Sequence, residues 1–169
     1  TFHALPIARG KSVFRSEWIR DMGEFYGPTL FLAESSATTG GLDSLLEPTG
    51  NIKLAQDAAA RAFGADKVFF VTNGTSTSNK MVYQALCQPG DIVVVDRNCH
   101  KSHHYGCVLA GAQPYYVEAF PLTAYSMYGS VPLRTIKKAL LDLKAAGRLD
   151  KVRMIALTNV TFDGHMYDT

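Results

Sequence analysis

Short apolar runs alternate along the chain with longer segments in which apolar residues recur at helical spacing. The runs are rich in Val, Ile and aromatic residues, which is typical of strands buried on both faces of a sheet. Such strands, separated by helices, predict an α/β fold with a mostly parallel sheet between two helical layers, a three-layer α/β/α arrangement. The predicted strands are residues 67–72, 92–95, 114–117 and 152–157.

Four helices are predicted before or between these strands. The first begins at Asn51 and ends at Gly64, because glycine favours the left-handed conformation that closes a helix. Its apolar stripe is predicted from Ile52, Ala55, Ala59, Ala62 and Phe63. The three later helices are expected to end near Cys87, at Gly111 and at Gly147.

Residues 1–48 lack this regularity. Glycine and proline recur, residues 35–41 are typical of a loop, and residues 47–50 are typical of a turn. We interpret residues 1–48 as a lead-in or linker segment, and residues 49–169 as the first part of a large domain.

Composition narrows the class of protein without identifying it. Hydrophobic residues make up 47% and charged residues 19% of the 169 residues, as in ordinary globular proteins. The formal net charge of +2 favours neither a nucleic-acid nor a membrane partner. Three cysteines without CxxC spacing predict reduced thiols in a cytoplasmic protein rather than a disulfide framework or a zinc site. The N-terminal residues do not have the pattern of a signal peptide.

Ligands of open parallel sheets bind beyond the carboxyl ends of the strands, so the polar loops at residues 73–78, 96–102 and 158–164 are the candidate sites. In the first loop, Gly74 permits a tight turn, and Thr75 and Ser76 open a helix whose free amides favour an anion. A plain helix cap explains the same residues equally well. Because GxxxxGK[ST] and GxGxxG motifs are absent, a small phosphate group is favoured over a nucleotide.

The second loop concentrates basic side chains, which are Arg97, His100, Lys101, His103 and His104. Three interpretations are open: a metal site built from the histidines, a solvated helix start, or an imidazole lying flat on an aromatic cofactor ring. Spacing alone does not separate them. A metal is the least favoured, because no Asp or Glu stands nearby as an obvious further ligand.

The loop motifs resemble those of a known family. Residues 70–79, with Asn-Gly-Thr-Ser at 73–76, and residues 90–102, with Arg-Asn-Cys-His-Lys-Ser at 97–102, resemble the Orn/Lys/Arg decarboxylases. Those are pyridoxal-phosphate (PLP) enzymes of the aspartate-aminotransferase fold, known as fold type I. The resemblance also extends through residues 42–50, 109–112, 127–129 and 157–164.

The resemblance implies roles for individual residues. Gly74, Thr75 and Ser76 are expected to bind the PLP phosphate, and His100 is expected to stack on the pyridine ring. Asn159 or Thr161 is expected near the 3-hydroxyl side of the ring. No metal is expected.

By the same resemblance, the ring-nitrogen Asp and the Schiff-base Lys lie beyond the Asp163-Gly164 motif, and therefore outside this chain. Lys101 follows a histidine, as the catalytic lysine of the family does, but its place in the chain order assigns it to the stacking-histidine loop. We therefore expect the 169-residue chain alone to be inactive. We also expect its incomplete sheet to expose an apolar edge that favours self-association.

The implied function of the full-length protein is decarboxylation of arginine, lysine or ornithine, in amino-acid metabolism and polyamine biosynthesis. A homodimer or higher homo-oligomer is implied as well. Two alternatives stay open at this point: another fold type I enzyme such as an aminotransferase or a carbon–sulfur lyase, or a non-catalytic binding or regulatory paralogue.

Overall fold

The structure is a computed structural model that describes residues 8–33 and 43–167. The chain divides into two compact units, Thr1–Phe70 and Val71–Thr169. The predicted loop at residues 35–41 lies outside the described residues. The predicted boundary between residues 48 and 49 stays a prediction.

The described part of the first unit is mostly helical. After a 3₁₀ turn at Ala8–Gly10 come helices α1 (Lys11–Arg15), α2 (Arg20–Leu32) and α3 (Asn51–Phe63). Helix α2 is interrupted at Gly27, whose φ is 73°, just before Pro28.

The prediction of an irregular segment is therefore wrong for residues 11–15 and 20–32. Glycines in this segment allow close packing rather than loops. A Cβ on Gly23 would lie 2.9 Å from the Phe14 ring, and a Cβ on Gly10 would lie 2.8 Å from Phe31 Cβ. The rings of Phe14 and Phe31 pack edge to face at 5.9 Å.

Helix α3 confirms the predicted helix, including its left-handed end at Gly64 (φ 63°). The predicted apolar stripe is wrong, because Phe63 is 85% exposed whereas Gln56 and Ala60 are buried. Residues four apart lie on one helix face, and the face that begins at Ile52 and continues through Gln56 and Ala60 is the covered one.

The predicted strand at residues 67–72 is also wrong. These residues form no ladder with any described strand, and Phe69 is 66% exposed. A strand requires a hydrogen-bonded neighbour, and a run of apolar residues by itself does not supply one.

The second unit contains the parallel sheet. Its elements are α4 (Thr75–Leu86), β1 (Ile92–Asp96), α5 (Lys101–Ala110), β2 (Gln113–Val117), β3 (Pro121–Leu122), β4 (Met127–Tyr128), α6 (Leu133–Ala145) and β5 (Val152–Ala156). Strand β1 is central and pairs in parallel with both β2 and β5. Strands β3 and β4 form a separate antiparallel pair. These elements confirm the other three predicted strands and the three later helices.

Strand β1 shows why the unit has three layers, since all five of its residues are buried. Side chains alternate between the two faces of a strand. Val93 and Val95 pack with Tyr83 of α4 and Cys107 of α5 on one face. On the other face, Ile92 and Val94 pack with the α6 cluster of Ile136, Ala139 and Leu143. The three-layer α/β/α prediction is confirmed.

Strand β5 borders the described sheet and pairs irregularly with β1. The register shifts between Ile92 and Val93, which leaves Arg153 out of the ladder. Arg153 Nε then donates to Asp91 Oδ2 at 3.2 Å. The amide of Gln88 and the charge of Arg153 together lower the pKa of Asp91. On the same strand Ile155 is 43% exposed.

Among the described helices, none is long and apolar enough to cross a bilayer.

Candidate functional site

The first predicted loop leads into the start of α4. Gly74 has φ 78° and ψ 165°, a conformation essentially restricted to glycine, and its carbonyl accepts from the amides of Thr77 (3.0 Å) and Ser78 (3.3 Å). The amides of Thr75 and Ser76 have no hydrogen-bond partner within residues 8–33 and 43–167. Both residues are exposed, and a Cβ placed on Gly74 would meet no atom within 4 Å. An open, electropositive helix start of this kind fits a phosphate group.

The second loop carries His100 at the end of β1. Asp96, the last residue of the strand, is 1% exposed, and its Oδ1 accepts from the Asn98 amide at 2.8 Å. Burial raises the pKa of this carboxyl group. The Cys99 amide donates to the Asp96 carbonyl at 3.1 Å, which turns the chain towards α5. His100 is the N-cap of α5, and its exposed imidazole accepts the Ser102 amide on Nδ1 at 3.2 Å.

A hydrogen-bonded chain joins this histidine to α4. Ser102 Oγ lies 2.9 Å from His100 Nδ1 and accepts from Asn79 Nδ2 at 2.8 Å. Asn79 Nδ2 also lies 3.4 Å from His103 Nε2, and His103 Nδ1 lies 3.1 Å from Tyr83 Oη. Burial lowers the pKa of His103 and raises that of Tyr83, which favours the neutral form of both groups.

The three histidines of the second loop contact different partners. His104 turns away from its neighbours, with Nδ1 3.0 Å from Tyr116 Oη and Nε2 3.7 Å from Cys99 Sγ. Burial raises the pKa of Cys99 to about 11, so the thiol stays protonated. In the part of the chain that the structure describes, no group of three or more His, Cys, Asp or Glu side chains is arranged to hold a metal. All three cysteines are free thiols.

The third loop folds back as a small hairpin after β5. Val160 and Met166 form an antiparallel bridge, and the Tyr167 amide donates to the Asn159 carbonyl at 3.1 Å. Thr161 is buried, and its Oγ1 accepts the His165 amide at 3.1 Å, so this hydroxyl stabilises the turn itself. The side chain of Asn159 is exposed. The expected cofactor roles of Asn159 and Thr161 stay predictions.

A recess of about 230 Å³ lies where β1 and β2 end, lined by Arg97, Asn98, Glu118, Ala119 and Tyr128. Arg97 Nε donates to Glu118 Oε1 at 2.5 Å, and the guanidinium lies 4.8 Å from the centre of the Tyr116 ring. The charge of Arg97 is therefore matched by a neighbouring carboxylate.

The structure brings two of the three loops together directly. Helices α4 and α5 are joined by the bond from Asn79 to Ser102, so the Gly74 turn and His100 belong to one hydrogen-bonded unit. Strands β1 and β5 are parallel neighbours, so the loops that follow them lie at the same edge of the sheet. Sequence reasoning had not assigned roles to Asn79 and Ser102. Both lie inside the motif segments, which is the only local signal for them.

A parallel sheet with helices on both faces, an open helix start and a histidine at the carboxyl edge are the features by which the class is recognised. The fold is that of the large domain of fold type I PLP-dependent enzymes. Within that class, the family model for the Orn/Lys/Arg decarboxylase major domain matches residues 1–169, and the chain belongs to this family.

The curated relatives include a lysine, an ornithine and an arginine decarboxylase. The chain is 39% identical over 151 residues to a lysine decarboxylase of Pseudomonas aeruginosa, covering 86% of this chain and 20% of the relative. It is 38% identical over 153 residues to the inducible ornithine decarboxylase of Escherichia coli, covering 86% and 21%. It is 36% identical over 153 residues to the biodegradative arginine decarboxylase of the same species, covering 86% and 20%. The chain therefore spans about a fifth of the length of these relatives.

Two solved structures of lysine decarboxylases have the same fold as this chain. The constitutive lysine decarboxylase of Escherichia coli superposes with a TM-score of 0.79 at 31% identity, over 97% of this chain and 23% of that one. Lysine decarboxylase A of Pseudomonas aeruginosa gives 0.77 at 36% identity, over the same shares.

Proposed function

We propose that the protein to which this chain belongs is a PLP-dependent decarboxylase of arginine, lysine or ornithine. The open start of α4, tied through Asn79 and Ser102 to the loop that presents His100, is the observation that carries this proposal. Family membership and the activities named for the relatives support the reaction. Those names include all three basic amino acids and do not choose among them.

The residues of the α4 turn fit the cofactor phosphate. The amides of Thr75 and Ser76 point outward at the positive end of the helix, and the two hydroxyls add further donors. Gly74 permits the backbone turn that presents these donors. The turn would thereby hold the phosphate end of the cofactor.

His100 fits a role on one face of the cofactor ring. When bound, PLP supplies an electron sink for the electron pair that the departing carboxylate leaves behind. The His100 imidazole would cover one face of the ring and exclude water from that face. Asn159 and Thr161 are proposed to lie towards the 3-hydroxyl side of the ring, Asn159 as an exposed residue and Thr161 as one held in its hairpin.

The covalently bound lysine and the carboxylate that pairs with the ring nitrogen are proposed to come from other parts of the larger family protein. Lys101 is the first residue of α5, beside His100, and is not assigned this role. A homodimer or higher homo-oligomer, a cytoplasmic location and a place in polyamine biosynthesis belong to the same proposal.

The test is a substrate assay on the full-length protein that contains this chain. Release of CO₂ from arginine, lysine and ornithine is measured with and without added PLP, together with the visible absorbance of the bound cofactor. We expect PLP-dependent CO₂ release from one of the three amino acids. Amino-group transfer to a keto acid without CO₂ release would contradict the proposal.

A pair of threonine variants tests the phosphate turn. Thr75→Val removes a hydroxyl at the first position of α4, and we expect weaker PLP binding. Thr135→Val is the matched control, because Thr135 lies in the first turn of α6, a helix with no proposed ligand. Equal PLP affinity in the two variants would exclude the Thr75 hydroxyl as a phosphate ligand.

A further inference from the structure

We infer that Ser102 and Asn79 are positioning residues that hold the His100 ring and keep its proton on Nε2. The inference rests on the proposed function, because it concerns the histidine proposed to cover the cofactor. It adds two residues, from two helices, to the groups that prepare the site before the cofactor binds.

The hydrogen bonds at His100 Nδ1 determine which ring nitrogen carries the proton. The Ser102 amide donates to Nδ1 at 3.2 Å. A backbone N–H can only donate, so Nδ1 must present its lone pair. In a neutral imidazole the proton then sits on Nε2, the nitrogen farther from the backbone.

The Ser102 hydroxyl reinforces the same arrangement. Ser102 is 1% exposed, so its hydroxyl group cannot turn to solvent. Because Oγ accepts from Asn79 Nδ2 at 2.8 Å, its single hydrogen is available for His100 Nδ1 at 2.9 Å. The imidazole is thus held by two donors from one residue, which restricts rotation of the ring.

The orientation of the Asn79 amide follows from its two neighbours. Its NH₂ group has two hydrogens, and the acceptors are Ser102 Oγ and His103 Nε2, the latter at 3.4 Å. Burial favours the neutral form of His103, and in that form a lone pair on Nε2 can accept the second Asn79 hydrogen. Asn79 therefore donates to Ser102 and does not accept from it.

The position of Asn79 links the two halves of the proposed site. It lies four residues, about one helical turn, after Thr75. The helix that offers its first turn to the phosphate thus also sets the ring of His100 through two hydrogen bonds. Displacement of α4 would change both contacts with the cofactor together.

The experiment uses the full-length protein and four variants. Ser102→Ala removes the hydroxyl. Asn79→Asp keeps the shape but replaces a donor with an acceptor, which draws the Ser102 hydrogen away from His100. Tyr83→Phe is the matched control, since it removes a hydrogen bond between the same two helices without touching the Asn79–Ser102–His100 chain. His100→Gln reports the contribution of the ring itself.

Two quantities are measured for each protein: the dissociation constant of PLP and the ¹⁵N chemical shifts of labelled histidines in solid-state NMR. The signals missing in His100→Gln identify His100. We expect Nε2–H in the unmodified protein and in Ser102→Ala, which keeps the backbone amide at Nδ1, and detectable Nδ1–H in Asn79→Asp, where Ser102 Oγ becomes an acceptor. The PLP dissociation constant should rise about tenfold in both variants, as for the loss of one hydrogen bond, and less than about twofold in Tyr83→Phe.

The outcomes separate this inference from the proposed function. Unchanged PLP affinity in His100→Gln would reject the ring role of His100 and the proposal that depends on it. If His100→Gln binds PLP weakly while Ser102→Ala and Asn79→Asp match the unmodified protein in affinity and in NMR shifts, only the positioning inference is overturned. Nδ1–H in the unmodified protein would overturn it as well. Because Asn79→Asp is nearly isosteric, it keeps the test valid if Ser102→Ala does not fold.

Discussion

The starts of helices α3 and α4 show two opposite solutions to the same physical problem. Both begin after a glycine, and both have backbone amides without helical partners in their first turn. At α3 the carboxylate of Asp43 accepts from the amides of Thr49, Gly50 and Ile52 at 2.7–2.8 Å, and more weakly from Lys53 at 3.4 Å. At α4 no described side chain accepts a hydrogen bond from the amides of the first turn.

The difference supports the proposal that the start of α3 is structural and that the start of α4 binds a ligand. A negative charge at a helix N-terminus is favourable whether it comes from the chain or from a bound anion. The chain supplies its own anion at α3 and leaves α4 open. Helix α5 is intermediate, because a ring nitrogen of His100, rather than a carboxylate, accepts the Ser102 amide.

The largest effect is expected when α4 is given its own anion. In Ser76→Asp, a carboxylate would occupy the open amides as Asp43 does at α3, and would repel the phosphate. We expect PLP affinity to fall by about 100-fold or more, the size of a lost charge-assisted contact plus repulsion. Absorbance titration of the full-length protein measures this. Ser12→Ala, an exposed change in α1, serves as the baseline. Tight PLP binding by Ser76→Asp would show that α4 is not the phosphate site.

A smaller effect is expected from Gly74→Ala. The backbone of Gly74 lies in a region that costs other residues about 1–3 kcal/mol, although its Cβ would meet no neighbour. We therefore expect PLP affinity to fall roughly tenfold through movement of the turn. Gly147→Ala, at another positive-φ glycine with open space around it, should cost stability without changing PLP affinity. Equal PLP affinity in the two variants would contradict the role of the Gly74 turn.

Removing the anion of α3 should affect stability rather than binding. Loss of hydration raises the pKa of Asp43, but the hydrogen bonds from Ile52, Gly50 and Thr49 lower it more, to about 2 from the ordinary 3.8. Because the folded-state pKa is the lower one, this group stabilises the fold above pH 3.8, and its contribution is lost as the pH falls towards 2.

Asp43→Asn should lower the melting temperature at pH 7 and remove the part of the acid destabilisation that occurs between these pH values. Circular dichroism melts from pH 7 to pH 2 measure both effects. Parallel curves for the variant and the unmodified protein over the acid range would show that Asp43 is not the group responsible.

The smallest effect is expected from the side chain of Lys53. Its Nζ pairs with Asp57 at 2.5 Å across one turn of α3, with both side chains more than 40% exposed. Such pairs contribute about 0.3–0.5 kcal/mol, and the order Lys before Asp is the less favourable one. Lys53→Ala keeps the backbone amide that faces Asp43, so urea unfolding should show only a slight loss. A loss as large as that of Asp43→Asn would mean that the ion pair, rather than the cap, stabilises this end of α3.

Local sequence patterns predicted the second unit well. Strand β1 and helices α4, α5 and α6 lie where periodicity and terminal signals placed them, and Gly111 has the positive φ expected of a helix end. These features depend on residues close together in the chain. The Gly74 turn and the position of His100 at the end of a buried strand were predicted for the same reason.

The failures occurred where packing overrides local signals. Gly23 belongs to a segment whose recurring glycines predict irregular chain, yet it allows Phe14 to pack closely inside a helical segment. Residues 67–72 have strand-forming composition without a described partner strand. In α3 the hydrophobicity of Phe63 pointed to one face, but the covered face contains Gln56 and Ala60. Each outcome depends on which surface lies opposite, and composition does not encode that.

The sequence by itself determined the family, the parallel sheet and the loops where chemistry is expected, because motifs and periodicities are properties of neighbouring residues. Only the tertiary structure decided how those loops cooperate. Asn79 and Ser102 are 23 residues apart, and their hydrogen bond exists because β1 returns the chain so that α5 packs beside α4. A bond between two helices is set by their packing, so no pattern along the chain could reveal it.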